Sequence, residues 1–264
     1  MNEEKNKDAG KIKLEVVDKN AIKSEFDNKL ERLTRSSAYL NFCEEVYGFK
    51  MYLFNMMDKQ QLNYIFNSVS ISEKDTLLDL GCGYGSVLDG LVTKYGCRGI
   101  GIDQLNSEIV QRSSRKFTYV NGDIDNISNY DLKPSITIAI DSLYFSNDLN
   151  SLIMYLKSIK NNKLYLFYSQ YIFDENSIEK SILEYDKTKL AQIFKKNSIN
   201  YKFVDFSENE RRLYENSIKT LPKYREMFML EGNTDLYEAK LKEDTYGIKL
   251  YDKNLAARYL YIIE

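Results

Sequence analysis

The sequence of 264 residues contains no histidine and no tryptophan, and it has two prolines and three cysteines. Without histidine, proton transfer near neutral pH must use carboxylates, tyrosines or water. The cysteines Cys43, Cys82 and Cys97 are odd in number and lack the spacing of a zinc site or a disulfide framework. No apolar run suits a membrane span or a signal region. We therefore expect a cytoplasmic protein with no bound metal and no membrane contact.

The net charge and the length of the chain limit its expected partners and fold. Lysine and arginine number 37 against 39 aspartate and glutamate residues, which leaves a formal net charge of -2. This balance disfavours a general nucleic-acid surface and makes a small molecule the favoured partner. A chain of this length can form one α/β domain with an appendage.

A glycine-rich turn follows an apolar run in the first third of the chain. The run 77–80 predicts a buried strand, and glycines occupy alternate positions after it, at Gly81, Gly83 and Gly85. From Ser86 onward, apolar residues recur at three- and four-residue spacing, which predicts a helix. A strand, a tight turn and a helix in this order let a ligand lie directly on bare backbone.

Two kinds of ligand compete for this turn, a dinucleotide and S-adenosylmethionine. The dinucleotide fingerprint is G-x-G-x-x-G, whereas this turn has G-x-G-x-G, and Asp79 lies two residues before its first glycine. A fixed carboxylate opposes a diphosphate but is favourable toward the sulfonium and ammonium groups of S-adenosylmethionine. The turn therefore favours S-adenosylmethionine over a dinucleotide, and a purely structural glycine turn stays as the third interpretation.

Polar residues also follow the later predicted strands. The strand 97–102 ends in Asp103 and Gln104, where a carboxylate can accept hydrogen bonds from both ribose hydroxyls. A dinucleotide enzyme shares this feature, so Asp103 indicates a nucleoside ligand unless it only caps the next helix. The strands 117–120 and 136–140 precede polar breaks as well. Open α/β sheets bind ligands at the carboxyl ends of their strands, so these breaks predict the site.

Over about residues 75–264 the sequence resembles the class I S-adenosylmethionine-dependent methyltransferases. The matching motifs are the glycine loop Asp79 to Gly85, Asp103 for the ribose, Gly122, Asp123 and Ile124 for the adenine, and Asp141 after the fourth strand. The segments 140–145 and 42–48 look like bacterial small-molecule methyltransferases. Residues 160–163 replace the usual Pro-Gly-Gly turn with a turn in which asparagine can take the left-handed conformation. An Asn/Asp-Pro-Pro-aromatic motif is absent, which disfavours the adenine-N6 and glutamine-amide subfamilies.

The resemblance implies an α/β, Rossmann-like fold with a seven-stranded, mostly parallel sheet flanked by helices. S-adenosyl-L-methionine is the implied cofactor and S-adenosyl-L-homocysteine the product. We divide the chain into an N-terminal extension and helical cap at 1–70, a cofactor-binding core at 71–206, a helical insertion at 207–254 and a last strand at 255–264. The insertion is either a lid over the acceptor, together with the N-terminal helices, or a homodimer contact.

The resemblance also implies roles for individual residues. The expected cofactor-binding residues are Asp79, Gly81, Cys82, Gly83, Gly85, Asp103, Gln104, Asp123, Ile124 and Asp141. The substrate-binding candidates are Tyr47, Phe54, Met56, Met57, Tyr144 and Tyr171. The catalytic candidates are Asp141, which binds the ammonium group or acts as a base, and Tyr144, which orients the acceptor or covers a cation. The simpler interpretations are a turn cap for Asp141 and core packing for the aromatic and methionine side chains.

Periodicity predicts the remaining elements. The predicted helices are 36–47, 51–69, 149–159 and 187–196, and the later strands are 164–168, 201–206 and 256–263. Residues 1–35 are expected to be mobile at first and helical from about Lys23. Within the insertion, Pro222 is expected to start a helix and residues 231–233 to end it.

Methyl transfer from a sulfonium is an in-line displacement that needs the nucleophile held roughly 3 to 3.5 Å from the methyl carbon, in a site without water. We predict a methyltransferase that acts on nitrogen or oxygen of a small molecule. Three alternatives stay open: a module that binds the cofactor or its product without chemistry, a methyltransferase that acts on a macromolecule, and a dinucleotide oxidoreductase, which Asp79 disfavours.

Overall fold

The computed structural model describes residues 27–105, 116–173 and 179–264. Its strands are β1 Thr76–Leu80, β2 Arg98–Asp103, β3 Thr118–Asn121, β4 Ile136–Ile140, β5 Lys163–Tyr171, β6 Lys202–Asp205 and β7 Ala256–Ile263. They form one seven-stranded sheet in the order β3-β2-β1-β4-β5-β7-β6. β7 runs antiparallel to its neighbours β5 and β6, and the other pairs are parallel. The predicted mostly parallel sheet is therefore confirmed.

Helices cover both faces of this sheet. They are α1 Ser37–Tyr47, α2 Lys59–Ser68, α3 Ser86–Tyr95, α4 Leu149–Ser158, α5 Lys189–Lys196, α6 Ser207–Thr220, α7 Arg225–Leu230 and α8 Thr234–Asp252, and residues 27–33 are helical as well. Short 3-10 helices lie at Ile124–Asn129, Leu143–Phe145, Lys180–Leu183 and Leu221–Tyr224. In the part of the chain that the structure describes, no helix is both long enough and apolar enough to cross a membrane.

The core lies in two layers, one on each face of the sheet. Side chains of a strand alternate between faces, so Leu77 and Leu78 belong to different buried clusters. The cluster with Leu77 includes α1, α2 and α3, and the cluster with Leu78 includes α4 and α5. Every residue of β4 and β7 is buried, as expected for strands covered on both sides.

The helices of residues 207–254 pack on the N-terminal helices. The Glu231 carboxylate accepts hydrogen bonds from the Ser36 hydroxyl and from the Ala38 N–H, the latter at 3.0 Å. The Arg32 guanidinium pairs with Asp235 at 2.6 Å. These contacts join two segments that are about 200 residues apart in sequence into one helical cap.

The predicted helix 51–69 is wrong over its first half, because α2 begins only at Lys59. The Asp58 carboxylate accepts from the Gln61 N–H at 2.8 Å and so caps the helix start. Upstream of Asp58, the Met56 N–H donates to the Asp141 carboxylate at 2.8 Å. This N–H is therefore not available for a hydrogen bond within a helix. The sequence does not reveal this contact, since Asp141 lies 85 positions away.

Other predicted boundaries hold within a few residues. β5 is longer than the predicted strand 164–168, because β7 pairs with it along its length up to Tyr171. Asn161 takes the left-handed conformation expected of the turn before β5, with a φ of 63°. Pro222 lies in the 3-10 turn that leads into α7, and residues 231–233 follow the end of that helix. The predicted mobile start and the helix onset near Lys23 lie outside the described residues.

Candidate active site

The turn between β1 and α3 holds its glycines in the left-handed region. The φ angles are 69° at Gly81, 52° at Gly83 and 78° at Gly85, a conformation that side chains disfavour. The Gly81 N–H donates to the Ile102 carbonyl at 2.8 Å, which ties the turn to β2. A Cβ added at Gly83 would meet no atom within 4 Å. The Gly83 backbone therefore faces open space that a ligand can occupy.

Asp103, at the end of β2, holds this turn in position. Its Oδ2 accepts from the Gly83 N–H at 2.7 Å, and its Oδ1 accepts from the Leu105 N–H at 2.9 Å. Burial raises the pKa of the Asp103 carboxyl, and these backbone donors oppose the increase. Each carboxylate oxygen retains a second lone pair, so Asp103 can still accept hydrogen bonds from a vicinal diol.

Asp79, in β1, is a second carboxylate next to the turn. Its side chain is buried, and this burial, with a smaller contribution from the charge of Asp103, raises its pKa to about 8. Among the described residues, no lysine or arginine pairs with Asp79. A buried carboxyl without a protein cation beside it is suited to a cationic ligand group.

The remaining predicted cofactor residues lie at the same edge of the sheet. Asp123 accepts from the Asp125 N–H at 2.9 Å and caps a 3-10 helix, so it has the capping role in addition to any contact with a ligand. Ile124 is buried, Gln104 is exposed and Cys82 is half-buried. Within the described ranges, no group of three or more potential metal ligands occurs.

A buried arginine lies at the centre of a second cluster, where β4, β5 and β7 meet. Arg258 of β7 donates to the two carboxylate oxygens of Asp141 at 2.6 and 3.0 Å. Its Nε donates to the Gln61 side chain at 2.7 Å, and Nη1 donates to the Ser169 hydroxyl at 2.8 Å. Its Nη2 lies 3.6 Å from the Met57 sulfur. The five N–H donors of Arg258 are therefore all engaged within the protein.

Glu210 of α6 adds a second carboxylate to this cluster. It accepts from the Ser169 hydroxyl at 3.0 Å, from the Tyr171 hydroxyl at 2.8 Å and from the Tyr251 hydroxyl. Glu210 Oε1 lies 3.5 Å from Arg258 Nη1. Burial raises the pKa of the Glu210 carboxyl, and the charge of Arg258 opposes that increase. A helix of the insertion thus contributes a buried side chain to the strand ends.

Asp141 and Tyr144 form the more exposed side of this cluster, whereas Glu210 and Arg258 are fully buried. Asp141 has a left-handed backbone with a φ of 55°, which is uncommon for a residue with a side chain. The Tyr144 hydroxyl donates to Asp141 Oδ1 at 3.3 Å and accepts from the Ser169 N–H at 2.6 Å. Tyr144 is nevertheless 40% exposed. Its hydroxyl is fixed, while part of its surface is open to a ligand.

Comparison with known proteins identifies the fold. Residues 59–143 match the family model of Methionine biosynthesis protein MetW. No curated protein matches the sequence. Among solved structures, phosphoethanolamine N-methyltransferase 2 of Haemonchus contortus, in complex with phosphomonomethylethanolamine and S-adenosylhomocysteine, has a TM-score of 0.67 at 13% identity. That match covers 90% of this chain and 60% of the Haemonchus chain.

Two further structures resemble the whole domain. A methyltransferase of Geobacter sulfurreducens in complex with S-adenosyl-L-homocysteine has a TM-score of 0.57 at 13% identity, with 85% of this chain and 97% of that chain covered. The cyclopropane synthase MmaA2 of Mycobacterium tuberculosis has a TM-score of 0.63 at 12% identity, and the match covers 90% of this chain and 97% of the MmaA2 chain. The chain has the class I methyltransferase fold. The fold predicted from the sequence is confirmed.

Within the class I fold, the predicted site residues fall into separate groups. The glycine turn, Asp79 and Asp103 lie together, and Asp141, Tyr144, Met56, Met57 and Tyr171 belong to the Arg258 cluster or contact it directly. Phe54 stacks on Tyr39 with ring centroids 5.5 Å apart and packs against the buried cluster of Leu30 and Leu105. Tyr47 is buried in the cap, edge-to-face on Phe42 at 6.4 Å.

Arg258 and Glu210 were missed by reasoning from the sequence. Arg258 is the single charged residue of the apolar stretch 255–263, and a lone cation in a predicted buried strand requires a buried anion as its partner. The position of Arg258 in the sequence could therefore have predicted a buried ion pair. Glu210 gave no such signal, because it belongs to a helix rich in charged residues, where a buried position is not distinguished from an exposed one.

Proposed function

We propose that this protein is an S-adenosylmethionine-dependent methyltransferase that transfers a methyl group to nitrogen or oxygen of a small molecule by in-line displacement. The observation that carries this proposal is the open backbone at Gly83, which donates to Asp103, with a second carboxyl, Asp79, close enough to feel the charge of Asp103. The Haemonchus and Geobacter structures contain S-adenosylhomocysteine, and the first also contains a small phosphorylated amine. Both facts support the cofactor and a small acceptor.

The residues at the turn suit the groups of this cofactor. Asp103 would accept the ribose hydroxyls on its remaining lone pairs, and Asp79 would attract the ammonium group. Asp123 and Ile124 would hold the adenine, with Cys82 and Gln104 along the same edge. When bound, S-adenosylmethionine supplies a methyl group on a positively charged sulfur, which is electrophilic without further activation.

The protein's own task is then to hold the acceptor and to exclude water. Tyr144 presents a partly exposed surface at the acceptor side, while Asp141 keeps its hydroxyl in a fixed orientation. Arg258 engages both oxygens of Asp141, so Asp141 acts as a charged anchor for this region. Phe54, Met57 and the other substrate candidates remain proposals for the wall of the acceptor pocket.

We propose that the insertion 207–254 acts as a lid and not as a homodimer contact. Glu210 of this insertion is fully buried in the Arg258 cluster, and Asn209 donates to the Asp58 carboxylate at 2.8 Å. Both contacts direct the insertion toward its own chain.

The thiols of Cys43 and Cys97 are free and buried, which supports a reducing, cytoplasmic compartment.

Calorimetric titration with S-adenosylmethionine, S-adenosylhomocysteine and a nicotinamide dinucleotide tests the proposal. We expect the first two to bind and the dinucleotide not to bind. Binding of the dinucleotide alone would replace the methyltransferase with an oxidoreductase. Binding of both adenosyl compounds, followed by no transfer of labelled methyl to any of a broad set of acceptors, would favour a binding module without chemistry.

A further inference from the structure

The charges of the Arg258 cluster define the chemistry of the acceptor, an inference that rests on the proposed function. We propose that the acceptor is an amine with no phosphate or carboxylate group near its reactive nitrogen, and that Glu210 takes up the proton which this amine must lose. Three features of the cluster support this proposal: its net charge, the engaged donors of Arg258, and the Tyr171 hydroxyl that donates to Glu210.

The cluster is anionic overall. It contains two carboxylates, Asp141 and Glu210, and one cation, Arg258. In the described parts of the chain, no second lysine or arginine forms a hydrogen bond or an ion pair with Asp141, Tyr144, Glu210 or Tyr171. A buried site with excess negative charge attracts a cationic ligand and repels an anionic one, because burial reduces screening by water and salt. The cluster thus selects for an ammonium group.

Arg258 is not available to bind an acidic group. Each of its N–H donors is directed at Asp141, Ser169, Gln61 or Met57. To bind a phosphate or a carboxylate, the guanidinium would have to give up Asp141, whose side chain is 12% exposed and which forms an ion pair with no other cation among the described residues. Removing one partner from a buried ion pair is strongly unfavourable. An acceptor with an acidic group therefore finds a repulsive carboxylate pair without a compensating donor.

Aromatic surfaces line the approach to these carboxylates. Tyr144 is 40% exposed, and its ring centroid is 5.0 Å from that of Tyr168. Tyr171 packs against Phe173 at 5.8 Å, and Phe173 is 69% exposed. Rings of this kind stabilise ammonium groups and apolar carbon alike. An amine with an apolar side chain fits these surfaces.

A proton must leave before an ammonium nitrogen can act as a nucleophile, and the sequence has no histidine to take it. The Tyr171 hydroxyl lies 2.8 Å from Glu210 Oε1. The ammonium proton passes to the Tyr171 oxygen as the Tyr171 proton passes to Glu210, which becomes a neutral carboxylic acid. The neutral nitrogen then forms a bond to the methyl carbon, the carbon–sulfur bond breaks, and its electron pair stays on sulfur. The methylated product carries the positive charge.

Several groups face Glu210 from the elements packed around it. They are Asp141 directly after β4, Tyr144 near it, Tyr171 of β5, Tyr214 of α6, Tyr251 of α8 and Arg258 of β7. Burial raises the pKa values of all four tyrosines, so these tyrosines stay neutral and act as hydrogen-bond donors. Of the two carboxylates, Glu210 is the one that accepts from Tyr171, and it is therefore the proton acceptor for this route.

Matched acceptor pairs test the charge preference. The pairs are phenethylamine against phenylalanine, ethanolamine against phosphoethanolamine, and phenethylamine against 2-phenylethanol, each with labelled S-adenosylmethionine. In each pair we expect methyl transfer to the plain amine to be faster by at least about tenfold, the ratio that 1.4 kcal/mol of differential binding produces. Equal or faster transfer to the acidic or alcohol partner would overturn the proposal. So would the absence of transfer to both amines.

The pH dependence of methyl transfer tests Glu210 separately. Transfer inside the complex moves the ammonium proton to Glu210 without exchange with the buffer, so the rate of methyl transfer to phenethylamine is measured against pH instead. We expect the natural protein and E208Q, a variant of an exposed glutamate of the same helix, to be active near neutral pH. We expect E210Q and Y171F to be slower there and to approach the natural rate as the pH rises and free amine becomes available in solution. An unchanged rate of E210Q near neutral pH, with normal affinity for S-adenosylhomocysteine as the check on folding, would contradict the role of Glu210. If E210Q does not fold, Y171F decides.

These outcomes separate the two proposals. If neither S-adenosylmethionine nor S-adenosylhomocysteine binds, the proposed function fails and this inference fails with it. If both bind but transfer favours an acidic or an oxygen acceptor, only the amine assignment fails.

Discussion

Asp103 shows how one carboxylate serves the protein and its proposed ligand together. Its two oxygens already bind backbone N–H groups of the glycine turn and of Leu105. We expect Asp103→Ala to weaken the binding of S-adenosylmethionine by about 1 to 3 kcal/mol, from lost charge-assisted hydrogen bonds. Calorimetry measures this loss. The control is Asp131→Ala, since that carboxylate is 91% exposed, and equal affinities of the two folded variants would remove Asp103 from the ribose site.

The raised pKa of Asp79 makes the stability of the folded protein depend on pH. The folded protein holds this pKa at about 8, above the ordinary value of 3.8. Between these pH values, the folded state binds a proton that the unfolded chain has lost, so the stability contributed by Asp79 falls as pH rises. Asp79→Asn removes this dependence.

We therefore expect Asp79→Asn to raise the melting temperature more at pH 8 than at pH 5, and to weaken binding of S-adenosylmethionine more at pH 8, because more of Asp79 is charged there. Scanning calorimetry and titration measure the two effects. A gain in melting temperature that is the same at both pH values would contradict the assignment of the raised pKa to Asp79.

The sequence predicted these residues of the glycine turn because their spacing is local. Asp103 follows a strand and the glycines follow another, and both patterns can be read within a few positions. The partner of Asp141 could not be predicted in the same way, because Arg258 lies 117 positions later. Long-range pairs depend on the order of strands in the sheet, which periodicity alone does not define.

At the scale of elements, strand and helix positions were largely predictable, and the contacts between elements were not. β4 and β7 have the predicted bounds, and each is a largely apolar run that ends at a charged residue, Asp141 or Glu264. The segment before Lys59 was wrongly predicted to be helical, because its apolar residues fit a helix but its backbone is held by Asp141. Tertiary contacts here override local preference.

Ser36 has two functions in the cap, which makes it a sensitive position. It accepts from the Tyr39 N–H at 2.9 Å as the cap of α1, and it donates to Glu231. We expect Ser36→Ala to lower the free energy of unfolding by about 1 to 2 kcal/mol, as for the loss of a helix cap. Urea unfolding measures the change. Ser128→Ala, at an exposed position, is the control, and similar losses in both variants would show that the cap hydrogen bonds contribute little.

At the scale of the whole molecule, Arg258 connects the sheet, α2 and the insertion helix α6. We expect Arg258→Met to cost about 3 to 5 kcal/mol of stability, because it leaves two carboxylates buried without a cation. The loss is expected to be smaller at pH 5 than at pH 8, since protonation of Glu210, whose pKa burial raises, removes one of these charges. Denaturant unfolding at both pH values measures it.

Two further variants are the controls for Arg258→Met. Arg98→Met, at an exposed position of β2, should have little effect on stability. Adding Asp141→Asn and Glu210→Gln to Arg258→Met should restore much of what is lost. If this triple variant is as unstable as Arg258→Met, the loss comes from packing of the arginine and not from its charge.

The position of β7 between β5 and β6 has a consequence for synthesis of the chain. A ribosome makes β6 and residues 207–254 before β7, yet β6 pairs with β7 in the sheet. During translation, β6 is therefore made before the strand with which it pairs. Glu210 is likewise made before Arg258, its buried cationic neighbour. A nascent chain that stops before Ala256 would expose an unpaired strand edge and buried acids together. Such a chain would be recognised by chaperones as unfinished, even though the parallel strands β1 to β5 have already been made.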